Sequence, residues 1–442
     1  MSLPRFWKPA VLSNRCGISA YVVGAVTTTQ GGTGTGTSGS PGGGTGGGSG
    51  PTVSCTQTVS TTAALTSAVS SAAGGATICI QSGGYGAMTW NGGTSRTKQV
   101  TVEPVQGGTV SFTGDLTENA SWVYLKNVSM AGQSWAINGP THNVTMEGIS
   151  AKTFSISSQP AGGAANITVH GGSYGPNHAY PDNQINSNGT ANVNTNITIN
   201  GVRFHDQYRD QAHASDHFEC IQIWSASGLT IENSRFTNCD VFDIFIQRCD
   251  PNACGTGTTP PTPTNITIQN NWLDCCTTAA SGAISYGKNY AVMFATDHSE
   301  GTWANVTIRN NSGDDKINLG TDRSDPQTWT NFQVENNALP RIDDWQDTNS
   351  NAVPSGVTVE YNEWFQGTPV GPHDLGGADP TTIFTNWDRG ANADGKQDFH
   401  ELTNAPTVAK GAPSFYPMTD IDGNARVSPP DIGASQVARG AG

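Results

Sequence analysis

An internal repeat constrains this chain more than any other feature. From residue 77 onward one phrase recurs: Asn, an aliphatic residue, Thr, an aliphatic residue, any residue, then Asn or Gly. Clear copies read NVTMEG from Asn143, NITVHG from Asn166, NITING from Asn196, GLTIEN from Gly228, NITIQN from Asn265, NVTIRN from Asn305, NFQVEN from Asn331 and GVTVEY from Gly356. Looser copies are TICIQS from Thr77, QVTVEP from Gln99 and WVYLKN from Trp122. The starts lie 21–23 residues apart up to Asn166, widen through 30, 32, 37 and 40, then narrow to 26 and 25. Each phrase is a short strand whose alternate residues, such as Ile266 and Ile268, face inward while Thr267 faces out. A strand of four residues cannot bury its face alone, so equivalent strands must stack on one another. The Asn or Gly that closes each phrase suits a left-handed turn, and stacked Asn amides can hydrogen-bond along the stack.

These phrases resemble the right-handed parallel β-helix of the pectate-lyase-like superfamily, with three short strands per coil and an Asn-lined turn. The resemblance covers about residues 75–365 and implies an all-β solenoid of about eleven coils. At about 4.8 Å per coil the rod is roughly 50 Å long. The C-terminal segment is similar to the closing segment of secreted bacterial β-helix proteins. Its string runs from Asp420 through Asp422-Gly423 to Arg426 and is followed by Asp431-Ile432-Gly433-Ala434. That tail reads as a structural cap.

Composition agrees. Charged residues make up 13% of the chain, too few for the solvent faces of a helical bundle. Gly, Ser, Thr and Asn fill the difference, as turns and polar strand faces require. A net charge of −14 argues against nucleic acid as a partner. No run of 18 apolar residues is present, so no membrane-spanning helix is expected. Residues 1–26 have the layout of a signal-like leader, with Arg5, Lys8 and Arg15 ahead of the apolar stretch from Ile18 to Val26. Residues 27–54 form a Gly/Ser/Thr-rich linker; residues 31–50 alone hold twelve Gly, seven Ser or Thr and one Pro. The β-helix with its N-terminal cap is assigned to 55–365 and the C-terminal cap to 366–442.

Eight cysteines remain once Cys16 is set aside with the leader, an even number that suits export to an oxidising compartment. Repeat phase pairs Cys239 with Cys276. Cys249 with Cys254 and Cys55 with Cys79 are local pairs, and Cys220 with Cys275 is left by elimination. The Asn-x-Ser/Thr strings at Asn143, Asn166, Asn196, Asn265 and Asn305 match a glycosylation sequon, but the repeat already accounts for them. An ice-binding face is disfavoured, because the outward neighbours of the Thr column are mixed: Glu147, His170, Glu232, Gln269 and Arg309.

Chemistry is expected where the repeat is most expanded. The first strand of each coil there falls near Gln184–Asn186, Cys220–Trp224, Asp243–Gln247, Ala291–Ala295 and Lys316–Leu319. Residues 205–219 hold three His, three Asp, one Glu and one Arg in a chain poor in ionisable groups. Arg209, His213, His217, Glu219, Asp243 and Lys316 are the candidate catalytic residues, with His217 and Glu219 facing outward. Gln222, Trp224, Phe245 and Gln247 are the candidate substrate contacts. The resemblance implies calcium as a possible cofactor, with Asp206, Asp210 and Asp216, joined by Asp243, as hard oxygen ligands. A zinc reading of His213, His217 and Glu219 lacks a helical context. Gly313-Asp314-Asp315-Lys316 is locally similar to the paired-aspartate strand of polygalacturonase-type hydrolases, although that family's companion strings are missing. The expected partner is a polysaccharide bound by a monomeric, secreted or cell-surface rod. Three functions compete: a polysaccharide lyase acting on a uronic-acid polymer, a glycoside hydrolase on the same scaffold, and a non-catalytic glycan-binding or adhesion protein.

Overall fold

The computed structural model describes residues 54–187, 192–208, 218–248, 261–275, 290–296, 301–320, 327–343, 353–388 and 397–439. The eleven phrases each form a strand of one parallel sheet, and Gln57–Val59 adds a twelfth strand at its N-terminal edge. Each repeat-sheet strand leads into a second-sheet strand and then a third-sheet strand before the next phrase begins, as in Ala226–Glu232, Arg235–Cys239 and Phe242–Gln247. Every ladder between coils is parallel. This is a right-handed parallel β-helix.

The register explains the phrase. Val144, Ile167, Ile197, Leu229, Ile266 and Val306 stack as one inward file, with Met146 to Ile308 as the next. Each fully buried aliphatic side chain contributes about 1.5–3 kcal/mol. In the second sheet the inward file turns aromatic, and Phe204 and Phe236 stack with ring centroids 4.8 Å apart. The residues that close the phrases, Asn127, Asn233, Asn270, Asn310 and Asn336, have φ between +51° and +58°, as do their glycine equivalents within a wider range. One residue further on, Asn271, Asn311, Asn337 and Asn362 form a fully buried ladder. From Asn311 onward each Oδ1 accepts both the backbone and side-chain N–H of the preceding ladder residue, and Asp374 ends the series.

The N-terminal end of the rod is covered, and the C-terminal segment is fastened along its side. At the N-terminus the helix Thr62–Ser71, capped by Thr61, buries Leu65, Ala68 and Val69. Arg96 donates to its closing carbonyls, including that of Ala72 at 2.9 Å. The Cys55–Cys79 disulfide fastens the same end. The C-terminal segment lies along the Asn turn. Arg426 donates to Asn270 Oδ1 at 2.8 Å and to the carbonyls of Gly433 and Ala434. The side chain of Asp420 accepts the N–H groups of Asp422, Asn424 and Gln436. These contacts make the closing string a structural clasp.

Two groups couple that clasp to pH. Burial pushes Glu401 up to about 8, offset in part by Arg426. At His400 burial acts to lower the pKa, but Asp422 and Asp398, 2.6 and 2.5 Å from its ring nitrogens, outweigh it and the pKa is raised. A folded-state pKa above the unfolded value means stability that is complete below the unfolded pKa and lost as pH climbs through the folded one. Thermal melts are therefore expected to show the tail loosening between pH 5 and pH 9. Glu401→Gln should flatten that dependence, and an unchanged slope would remove Glu401 as its source.

Candidate functional site

The second and third sheets meet at a corner where two expectations fail. Cys220 is bonded to Cys239, with Cα atoms 5.3 Å apart. This overturns Cys239–Cys276 and Cys220–Cys275. Cys220 immediately precedes the third-sheet strand Ile221–Trp224, and Cys239 ends the second-sheet strand of the next coil, so the two sulfurs meet across the corner. Repeat phase compares equivalent positions on adjacent coils and misses such a contact. Cys249, Cys254 and Cys276 lie outside the described residues.

Glu219 does not face outward. Ile221 and Ile223 set the inward face of the following strand, and Glu219 sits on the corner just before it with no exposed surface. Its N–H donates to Asp182 Oδ2 at 3.2 Å, and the two side chains are hydrogen-bonded to each other. Burial and then Glu219 push the Asp182 carboxyl well above the carboxylate range. One coil on, Asp243 stacks over Cys220, and its carboxyl lies within 4.8 Å of the two disulfide sulfurs. It is fully buried, and neither oxygen has a hydrogen-bond partner among the described residues. Burial, then Asp314, Asp274 and Asp315, drive its pKa well upward. The pair at 314–315 thus belongs to a buried corner of carboxyl groups. Gly313 stays small because a Cβ there would meet Leu273 O at 2.6 Å.

The outer face of the third sheet carries two files that run the length of the rod. One passes through Ser155, Gln184, Gln222, Phe245, Met293, Asn318 and Asp343. The neighbouring file contains Asn186, Trp224 and Gln247. All four candidate substrate contacts are therefore brought together. Gln184 Nε2 bridges Asp182 Oδ1 and Gln222 Oε1, and Phe245 stacks on Phe242 at 5.3 Å. Towards the N-terminal coils the face is neutral, with an amide chain through Asn91, Asn119 and Asn138.

Charge enters at the other end. Lys316 Nζ lies 3.1 Å and Arg341 Nη2 2.8 Å from the same Asp343 oxygen. The two cations are about one-fifth exposed, whereas Asp343 is 2% exposed. Burial raises the Asp343 pKa against the opposing pull of both cations. Lys316 also lies 4.9 Å over the ring of Tyr290, whose hydroxyl is pushed up to about 12 by burial and then by Asp343 and Asp315. Asp343, Arg341, Tyr290, Asp182 and Asp274 were not among the sequence candidates. Carrying the third-sheet strands one coil beyond Lys316–Asn318 would have found Asp343.

Only the two ends of the 205–219 segment are among the described residues. Arg209, Asp210, His213, Asp216 and His217 lie outside the described residues. Asp206 lies in the second-sheet strand Arg203–Gln207, where it accepts from His205 at 2.8 Å and Asn238 at 2.9 Å. Those bonds, His205 first, hold its pKa down. Among the described residues Asp206 and Asp243 do not fall in one group of possible metal ligands, and the other two expected calcium ligands, Asp210 and Asp216, lie outside those residues. Asp243 has two buried oxygens without a hydrogen-bond partner among the described residues, and the side chains within 4.8 Å of it that could face a metal are the two disulfide-bonded cysteines.

The fold is the one the pectate-lyase-like resemblance implies. No protein-family model and no curated protein sequence matches the chain. Among solved structures, the crystal structure of pectate lyase Pel9A is similar at 14% sequence identity. That match covers 84% of this chain and 90% of the other, with a TM-score of 0.42. Among the described residues no helix is long and apolar enough to cross a membrane.

Proposed function

We propose that this is a secreted, polysaccharide-active β-helix protein that cleaves a uronic-acid-containing polymer by β-elimination. The observation that carries the reading is the placement of Lys316 and Arg341 on one carboxylate, Asp343, at the charged end of a long amide and aromatic face. Elimination needs a base for the proton next to the uronate carboxylate and a cation for the carboxylate itself. Arg341 also pairs Asp343, so that carboxylate keeps a cation when the Lys316 side chain turns to the substrate. Lys316 then takes the carbon-bound proton, the electron pair forms the new carbon–carbon double bond, and the glycosidic carbon–oxygen bond breaks. The departing oxygen takes a proton from the Tyr290 hydroxyl or from water. Calcium would supply positive charge to draw an acidic polymer to a chain of net charge −14, and Asp243, whose two buried oxygens have no hydrogen-bond partner among the described residues, is the carboxyl placed to face it.

Glycoside hydrolysis is less well supported. It requires two separated carboxyl groups opening onto the sugar, but Asp182 and Glu219 are hydrogen-bonded to each other, and Asp243 is fully buried. The disulfides Cys55–Cys79 and Cys220–Cys239 support an oxidising, extracytoplasmic location.

The test is a panel of polygalacturonate, alginate and neutral polymers, with and without calcium. Absorbance from a new unsaturated bond on an acidic polymer is the expected result, with calcium stimulation lost in Asp243→Asn. New reducing ends without that absorbance would turn the reading to hydrolysis. Binding without cleavage would leave a non-catalytic glycan-binding protein.

A further inference from the structure

The repeat sheet has its own outer face, separate from the third-sheet files. A broad groove of about 600 Å3 lies at its N-terminal end, floored by Asn166, Thr168 and Asn196 and closed by Lys98, Gln99 and Trp122. We propose that this groove is a second carbohydrate-binding site, taking a neutral, extended polysaccharide laid along the rod.

Trp122 is the first reason. It occupies the file that Asn143, Asn166, Asn196, Asn265, Asn305 and Asn331 fill on later coils, all at φ between +50° and +58°. Asn tolerates that left-handed conformation and a bulky aromatic does not. Trp122 nevertheless adopts φ +63° there, half-buried, with its ring edge-to-face with His142 at 6.2 Å. The rod needs no aromatic at this position, since Asn or Gly serves on most other coils. A strained residue kept where the fold does not require it points to a task, and an aromatic ring at the wall of a groove offers the apolar faces of sugar rings a stacking partner.

The floor is the second reason. Asn166 Nδ2 donates to Asn143 Oδ1 at 3.2 Å, and Asn196 Nδ2 to Asn166 Oδ1 at 3.1 Å. An amide has two N–H donors, so each ladder bond leaves one for a ligand. Thr145, Thr168 and Thr198 stand in register beside them. Their spacing is one coil, about 4.8 Å, comparable to the length of one pyranose residue in an extended chain. The groove repeats its donors at the pitch at which such a polymer repeats its hydroxyls.

Charge selects among polymers. Among the described residues Lys98 is the one charged side chain lining the groove, and the overall charge of −14 disfavours an acidic chain where several cations do not converge. Gln99 is held in place by Thr145 Oγ1 at 3.0 Å and the Asn143 carbonyl at 3.1 Å, which leaves a neutral, fixed wall. The site lies on a different sheet from Lys316, so its occupancy is independent of cleavage.

Trp122→Asn is the variant to make, because it supplies the residue the file uses elsewhere and removes only the ring. The probes are hydroxyethylcellulose and glucomannan in affinity electrophoresis, with polygalacturonate as the acidic comparison. The wild-type chain should be retarded by a neutral probe. Trp122→Asn should weaken that binding tenfold or more, with an equal or higher melting temperature and an unchanged cleavage rate on short soluble substrates. Lys316→Arg should bind the neutral probes like wild type, which separates this site from the proposed catalytic one. Neutral-probe binding that survives Trp122→Asn within twofold would overturn the proposal. So would failure of the wild type to bind either neutral probe, or Trp122-dependent binding of polygalacturonate alone.

Discussion

Lys316→Arg is expected to lower the rate of unsaturated-product formation by about 100-fold or more, the range that a positioned general base supplies. Arginine keeps the positive charge beside Asp343, so the ion pair now measured at 3.1 Å from Lys316 is preserved in kind. A guanidinium does not give up its proton in a protein, however, and cannot accept another from carbon. The variant thus separates two roles that alanine would remove together. If Lys316 only balances the buried Asp343 charge, arginine retains most of the activity and alanine loses it through misfolding. If Lys316 is the base, both variants are inactive while arginine keeps the wild-type melting temperature. The rate at saturating polymer is the decisive quantity, because loss of ground-state attraction would appear in KM and loss of the base in kcat. A Lys316→Arg enzyme with near wild-type kcat would end the elimination mechanism as drawn.

The fold was legible because its signal is written eleven times. A one-residue error in any single strand is corrected by its neighbours, since inward Ile268 must stack on inward Ile231 and Ile308. Third-sheet strands were found within a residue by the same logic, which is why Gln222, Trp224, Phe245 and Gln247 fall on one face. The site was less legible because it is assembled at corners, where the period carries little information. Glu219 looked outward-facing beside Phe218, but it precedes its strand and folds back on Asp182. The Cys220–Cys239 bridge likewise joins unlike positions of successive coils. Of the ionisable residues in 205–219 that the structure describes, Asp206 is bonded on its own sheet to His205 and Asn238, and Glu219 is turned towards Asp182. Among the described residues Lys316, Arg341 and Asp343 are brought together. The buried Asn ladder was also missed. The phrase drew attention to Asn270 and Asn310 at the turn, while the residues that carry the internal bonds are Asn271 and Asn311, one place later.

That ladder sets the largest expected effect on stability. Asn337 is fully buried and its side chain makes five hydrogen bonds. Its Oδ1 accepts from the Asn311 N–H and Nδ2, and its Nδ2 donates to the Ile308 and Glu335 carbonyls and to Asn362 Oδ1. Asn337→Leu fills a similar volume with no polar atom, so it strands the Asn311 donors and the Ile308 acceptor away from water. Each buried unsatisfied group costs about 1–3 kcal/mol, so the expected loss is about 4 kcal/mol. In a solenoid each coil is held by its neighbours, so the loss should be local. Hydrogen exchange is expected to show lost protection in the strands Thr302–Arg309, Thr328–Glu335 and Val357–Glu360, with Val100–Pro104 and Val123–Lys126 unchanged. Asn305→Gly provides the contrast. Asn305 belongs to the exposed file, its φ of +57° suits glycine, and Gly228 and Gly356 already occupy that file. It should cost well under 1 kcal/mol, because water replaces the lost amide bond. Equal destabilisation by the two variants would mean that the inner ladder contributes no more than the outer one, and that apolar stacking alone holds the coils in register.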